Sequence, residues 1–343
     1  MRAESVEPMP FLLDRDAPHE LTRFLQARNW LDSARHVVRL DKAGDGNMNL
    51  TLRASVDDGT TFIAKQSRGF VEKYPQIAAP AERILSEVAF YQAIAASESL
   101  RQRMPTLLHV APVDHLACFS DLGAAADMSD VYAGVDIGAA TLDELLGWLS
   151  DLHHLELAPA AWGAPLANRA MRQLNYAHIF AIPLDPAAAP SADAITPGLG
   201  EVADELRCDT AYVAAVTRLG TVYLADGRIL LHGDFFPGSW LRHANGVKII
   251  DPEFAFFGRP EFDLGVLIAH LTFAGWTLDA AHAALGDSYA SPPGFDWRLA
   301  RGFAGVELMR RILGVAQLPL AATLERKREW LALSRTLVRG ART

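Results

Sequence analysis

Two cysteines, Cys118 and Cys208, are all that 343 residues contain, too few for a disulfide framework or a C-x-x-C metal site. Both are expected as buried thiols in a reducing cytoplasm. Basic residues are outnumbered, 32 Lys and Arg against 41 Asp and Glu, for a net charge of −9. That balance argues against nucleic acid as a bulk ligand and points to a small-molecule partner. Long hydrophobic runs are absent. The longest uncharged stretch, Leu264 to Leu278, falls short of the roughly 20 residues a spanning helix needs, so no membrane association is expected. The opening MRAESVEPMPFLLDRD lacks the apolar core of a signal peptide. No internal repeat is visible, and the low-complexity segment LDPAAAPSADAITPG at 184–198 is expected as a surface loop or lid. His153 and His154 are adjacent and so lie on different faces of a helix expected over Thr141–Leu157; they make no i, i+4 metal pair, one being expected in the core and the other exposed.

Half the residues are hydrophobic, enough for two substantial cores in a chain of this length. The densest chemistry lies in LLHGDFFPGSWLRHANGVKIIDPEFAFFGRPEFDLG, residues 230–265. Ile229 to Leu231 reads as a short buried strand, after which His232, Gly233 and Asp234 open a loop containing Pro237 and Gly238. Extended structure resumes at Trp240 and Leu241, Asn245-Gly246 signals a hairpin, and Val247 to Ile250 delivers Asp251 back toward Asp234. Phosphoryl transfer needs one carboxylate to orient and deprotonate the attacking hydroxyl, and hard oxygen ligands for the Mg2+ that screens a polyphosphate. Asp234 fits the first role; Ser239, Asp251 and Glu253 fit the second. Each alone is an ordinary turn residue, and it is the ordered set that carries the chemistry. Asp263 is expected to cap a helix starting at Leu264, with bracing of the Asp234 loop as the alternative.

Upstream, AGDGNMNL at 43–50 is a turn-rich loop in which Gly44, Asp45, Gly46, Asn47 and Asn49 suit close approach of backbone N–H groups to phosphate. It runs into a strand over Leu50–Val56. TFIAKQ, residues 61–66, forms the next strand and places Lys65 in an apolar run. A helix over Ala81–Ala96 has Ile84, Leu85, Val88 and Ile94 as its core face. Glu87, rather than Glu82, is expected to pair with Lys65, the arrangement that holds nucleotide α- and β-phosphates in kinases. The domain boundary is placed near Phe119–Gly123, giving a nucleotide-binding lobe over 1–121 and a catalytic and substrate lobe over 122–343. The linker residues Phe119, Asp121 and Leu122 are expected beside adenine. Trp162, Tyr176 and Trp276 are assigned to the core by default.

Together AGDGNMNL, IAKQ, HGD-x-x-x-GS, IDPEFAFFG-x-x-x-FD and GVELMRRILGVAQLPL resemble the methylthioribose kinase branch of the aminoglycoside phosphotransferase and choline kinase superfamily. Ser239 stands where the usual catalytic loop has Asn, and D-P-E where many members have D-x-D; both departures are similar to that branch. The resemblance implies an α+β, protein-kinase-like bilobal fold, with a small N-terminal antiparallel β-sheet lobe carrying one helix and a larger, mainly helical C-terminal lobe. It implies ATP and Mg2+ as cofactors and a small-molecule hydroxyl acceptor, a ribose-like sugar such as 5-methylthioribose. It further implies Asp234 as base, Asp251 and Glu253 as metal ligands, Lys65 as phosphate lysine, and Arg310 and Arg311 as substrate contacts. Adjacent helix residues cannot share a face, so only one of the two arginines is expected to point directly at the site. Choline, homoserine or an aminoglycoside as acceptor stays open, as do a nucleotide-binding pseudokinase, a metal-dependent hydrolase and assembly as a homodimer.

Overall fold

The computed structural model describes residues 10–44, 46 and 48–341; Asp45 and Asn47 of the expected phosphate loop lie outside the described residues. The chain divides into two compact units: one holds the chain through Tyr91 together with Pro105–Gly123, the other Gln92–Met104 and the chain from Ala124 on.

The first unit is built on an antiparallel sheet of β1 (Val37–Lys42), β2 (Leu50–Val56), β3 (Thr61–Gln66), β6 (Leu107–Ala111) and β7 (Leu116–Ser120), in the order β1-β2-β3-β7-β6. A small hairpin of β4 (Phe70–Val71) and β5 (Tyr74–Ala78) stands apart. Successive side chains of a strand alternate between faces. In β2 this buries Leu52, Ala54 and Val56, and Leu52 and Ala54 join Ala64, Leu116 and Cys118 in one apolar cluster. A helix the sequence reading did not anticipate, α1 (Pro18–Ala27), covers that face through Leu21, Phe24 and Leu25. Its three apolar residues sit at i, i+3 and i+4, a stripe too short to stand out from the surrounding polar chain. The expected helix after β5 forms as α2 (Arg83–Ala93), with Ile84 and Val88 buried and Leu85 half-buried.

The second unit is mainly helical: α3 (Glu98–Arg101), α4 (Ala139–His153), α5 (Gly163–Ala167), α6 (Arg169–Tyr176), α7 (Ala192–Ile195), α8 (Leu199–Cys208), α9 (Thr210–Leu224), α10 (Glu261–Phe273), α11 (Leu278–Ser288), α12 (Trp297–Leu313) and α13 (Leu324–Arg339). A π-helical turn, Ala177–Ala181, extends α6. All 13 residues of α10 are buried, and α12 packs between α10 and α13. Asp263 does not cap this helix. The helix begins at Glu261, which leaves Asp263 inside the first turn. The 184–198 segment, expected as a loop, contains α7, nucleated by Ser191 Oγ accepting from the N–H of Ala194. Cys208, at the exposed end of α8, is not buried as expected, whereas Cys118 is; and Trp162, Tyr176 and Trp276 are half-buried rather than core.

Two small sheets hold the segment around Asp234 and Asp251. β9 (Ile229–Leu231) pairs with β12 (Phe256–Gly258), while β10 (Trp240–His243) pairs with both β11 (Gly246–Ile249) and β8 (Ala126–Asp127). Ala244 and Asn245 make the hairpin turn between β10 and β11, since His243 registers with Gly246. The loops after β9 and after β11 close on each other at Gly233, which has φ +83° and whose Cβ, if present, would sit 2.2 Å from the carbonyl oxygen of Phe254. Gly233→Ala therefore meets both a left-handed backbone and immovable main chain. It should cost about 2–4 kcal/mol in urea unfolding, whereas Gly134→Ala, at φ +91° with nothing within 4 Å, should cost about 1 kcal/mol.

Candidate active site

Asp234 sits where β9 ends, and its position is set by backbone bonds made around it. The Asp263 carboxylate, fully buried, accepts the N–H of His232 at 2.8 Å and of Gly233 at 2.9 Å. His153 Nε2 lies 3.3 Å from the same carboxylate, and its Nδ1 is 2.7 Å from the Tyr289 hydroxyl. The bracing role thus belongs to Asp263, and His153 is the buried member of its pair while His154 is exposed, its Nδ1 2.9 Å from the Ser150 carbonyl. His232 Nε2 meets the Ile250 carbonyl at 3.0 Å and Nδ1 meets the N–H of Asp234 at 3.3 Å. A carbonyl can only accept and an N–H only donate, so His232 is neutral with its proton on Nε2; burial lowers its pKa in keeping with that. Ser239, buried, donates its hydroxyl to the Asp234 carbonyl at 3.0 Å, and the Ile250 N–H bonds the Ser239 carbonyl at 3.1 Å.

Beyond Ile250, Asp251 adopts φ 62°, ψ 48°. Left-handed backbone is costly for a non-glycine residue, and a following proline normally drives its predecessor into extended conformations. Such strain, about 1–3 kcal/mol, persists where surrounding structure over-determines it. Asn168 supplies part of that restraint, its side-chain amide donating to the carbonyls of Glu253 at 3.0 Å and Ala255 at 2.9 Å. Glu253 is buried and Asp251 half-buried. Among the described residues no group of three or more His, Cys, Asp or Glu is placed to hold a metal. Two carboxylates and a hydroxyl nevertheless fit Mg2+, which takes hard oxygen donors, keeps several waters and completes its shell on phosphates.

Arg310 and Arg311, near the end of α12, both approach Asp234. Arg310 Nη2 is 3.5 Å and Arg311 Nη2 3.7 Å from Asp234 Oδ1. The expectation that only one would point there is wrong. Their backbone positions diverge, but Glu307, three and four residues earlier, takes the Nε–H of Arg310 and, at 2.8 Å, that of Arg311, drawing both side chains to one side. Asp234 keeps 23% of its side-chain surface exposed. Burial raises its carboxyl above the ordinary value, with Arg311 and then Arg310 opposing, which makes it a stronger base than a free aspartate.

In the first unit, Ala64 belongs to the α1-side cluster, so Lys65, next along β3, points to the opposite face. There its Nζ lies 2.7 Å from Glu87 Oε2 on α2, both groups being buried, while Glu82 is exposed. Gly44 and Gly46 are exposed. Asn49 is buried with its Oδ1 accepting from Arg83 Nε at 2.8 Å. Arg83, unforeseen from the sequence, also donates to the carbonyls of Met48, Arg68 and Pro80. Phe119 is buried, Leu122 half-buried, and Asp121 binds Arg53 through two bonds of 2.7 and 3.0 Å. Asn168, Glu307, His270 and Arg83 were all missed. Only Glu307 had a local signal, its i−3 and i−4 spacing to the arginines.

The sequence pattern of the phosphotransferase enzyme family matches residues 40–303 of this chain. The chain belongs to that family. The methylthioribose kinase of Exiguobacterium sibiricum is 26% identical, with 88% of each chain covered. That of Pectobacterium carotovorum subsp. carotovorum is 27% identical, with 89% of each covered. Among solved structures, choline kinase LicA from Streptococcus pneumoniae has a TM-score of 0.52 at 12% identity, covering 94% of this chain and 98% of that one, which speaks for the fold. The α+β architecture, a small antiparallel-sheet unit and a larger mainly helical one, is that of protein-kinase-like phosphotransferases. Among the described residues no helix is long and apolar enough to cross a membrane.

One buried group of this phosphotransferase gives a pH signature. Burial pushes His270 down to about 4 from an ordinary 6.5, even with Glu307 beside it. Between those values the unfolded chain binds a proton that the folded chain refuses, so stability falls as pH falls through this window. Urea unfolding at pH 7, 5 and 4 should show a loss of up to about 3 kcal/mol attributable to this group, and His270→Gln should flatten that part of the curve.

Proposed function

We propose that this chain transfers the γ-phosphoryl group of ATP to a hydroxyl of a ribose-like sugar, with 5-methylthioribose the first acceptor to test. The observation that carries this is Asp234, a partly exposed carboxylate of raised basicity held by backbone bonds, with two guanidinium groups 3.5 and 3.7 Å away. The curated relatives, matched over nearly their whole length, support the acceptor class.

In this reading Asp234 orients the sugar hydroxyl in line with the phosphoryl group and takes its proton as the bond forms. Arg310 and Arg311 offer N–H groups to the transferring phosphoryl oxygens and to the sugar. Lys65, held by Glu87, contacts the α- and β-phosphates, and Gly44, Gly46 and Asn49 adjoin them. Phe119, Asp121 and Leu122 adjoin adenine. Asp251, Glu253 and Ser239 hold Mg2+, which when bound supplies positive charge against the phosphates. Choline and aminoglycosides carry fixed positive charge that the arginine pair beside Asp234 opposes, whereas a neutral sugar is not penalised. We also place the enzyme in the cytoplasm, acting on a small molecule without nucleic acid.

ADP release from Mg-ATP, measured with methylthioribose, 5-deoxyribose, ribose, choline, homoserine and kanamycin, should show turnover with a pentose. Asp234→Asn should lower that turnover at least about a hundredfold, the scale of lost general-base help. Turnover confined to choline or kanamycin, or unchanged in the variant, would discard the assignment.

A further inference from the structure

Behind the arginine pair lies a chain of buried polar groups that the proposed chemistry does not use. Glu307 on α12 is 1% exposed, and so is His270 on α10. The Tyr132 hydroxyl, from the 3-10 turn Ser129–Ala133, is 2.5 Å from His270 Nδ1; His270 Nε2 is 3.0 Å from Glu307 Oε1. Glu307 then takes the Nε–H groups of both Arg310 and Arg311. A carboxylate only accepts, so His270 carries its proton on Nε2 and receives the tyrosine hydroxyl on Nδ1. Arg310 and Arg311 hold Glu307 ionised, well below the usual carboxylate range, against the upward push of burial.

Burying such a cluster costs more than burying apolar side chains of the same volume, so stability alone gives no reason for it. Its geometry does. Binding through Nε leaves the Nη2 groups of the two guanidiniums toward Asp234, and Arg311 Nη2, buried, makes no hydrogen bond of its own, while Arg311 Nη1 donates to the Ala316 carbonyl at 3.5 Å. The Arg311 guanidinium also lies over the Phe236 ring, 4.8 Å from its centroid, which limits its swing. Without Glu307, two buried cations would share Asp234 as their anion and occupy the group that must receive the sugar hydroxyl.

We propose that Tyr132, His270 and Glu307 are positioning residues, a hydrogen-bonded relay that aims Arg310 and Arg311 at the acceptor side of Asp234. The inference rests on the reading of Asp234 as the base, and its test separates the two. With the pentose turned over by the wild type, His270→Phe should lower kcat/KM for the acceptor about 10- to 100-fold while leaving KM for Mg-ATP within about twofold. His270→Gln, whose amide N–H can still reach Glu307, should recover to within about fivefold of the wild type. Parallel losses toward acceptor and Mg-ATP, a failure of Gln to rescue, or a His270→Phe enzyme matching the wild type would each overturn it. Independently of turnover, the Nε–H proton resonances of Arg310 and Arg311, assigned by their loss in Arg310→Lys and Arg311→Lys, should be slow to exchange and should move in His270→Phe and Glu307→Gln. Unmoved resonances reject the relay. Moved resonances in an enzyme inert toward every acceptor reject only the kinase reading, and should Glu307→Gln not fold, His270→Phe decides alone.

Discussion

The backbone N–H groups of His232 and Gly233 end on one carboxylate, Asp263, that has no access to water. Taking an ionised carboxylate out of water costs several kcal/mol, and charge-assisted bonds from two peptide groups are the kind that offset it. The consequence reaches along the loop. Once residues 232 and 233 are pinned, the left-handed turn at Gly233 brings the chain against Phe254, His232 reaches the Ile250 carbonyl, and Asp234 emerges with its own carbonyl held by Ser239. Without Asp263, each of these contacts would have to be made by a loop free to choose other conformations.

Three buried carboxylates serve three different donors. Glu87 faces the Lys65 ammonium, Asp263 faces peptide N–H groups, and Glu307 faces two guanidiniums and an imidazole. In each case the charge is spent on holding something still. Asp234 differs: its arginine neighbours are beyond hydrogen-bond distance, and part of its side chain is exposed. In the proposed function, Asp234 is the carboxylate left available to receive a proton.

What the sequence disclosed, and what it hid, follows from the range of the forces involved. β2, β3 and β9 were legible because alternation and turn residues are local signals, and the hairpin of β10 and β11 because Asn245-Gly246 marks a turn within a few residues. Lys65 and Glu87 were legible because a charge inside an apolar run must find a partner. The task of Asp263 was harder to read: in the first turn of a helix an acidic residue already has a local explanation, and nothing nearby shows that β9, some 30 positions earlier in the chain, ends against it. Asn168 reaching carbonyls at 253 and 255, and Arg83 reaching the Met48 carbonyl and Asn49 side chain, are long-range in the same way. The arginine pair was misjudged for another reason. Helix geometry places Cα atoms, but side chains as long as arginine can be drawn across a face by one well-placed anion.

A contrast in how the two sides of Asp234 are held bears on how such an enzyme can change its acceptor. On the side of Asp251 and Glu253 the restraints end on main chain: Asp263 on two N–H groups, His232 on a carbonyl, Asn168 on two more. Main-chain groups are the same whatever residue carries them, so these bonds do not depend on the side chains of the residues being held, although Gly233 is fixed by its left-handed backbone and His232 by its ring. On the arginine side the restraints run from side chain to side chain, Tyr132 to His270 to Glu307 to Arg310 and Arg311. Each link depends on the identity of both partners, so one substitution re-aims whatever lies beyond it. In the proposed function, that contrast would let the arginine side change its acceptor while the loop around Asp234 keeps its shape.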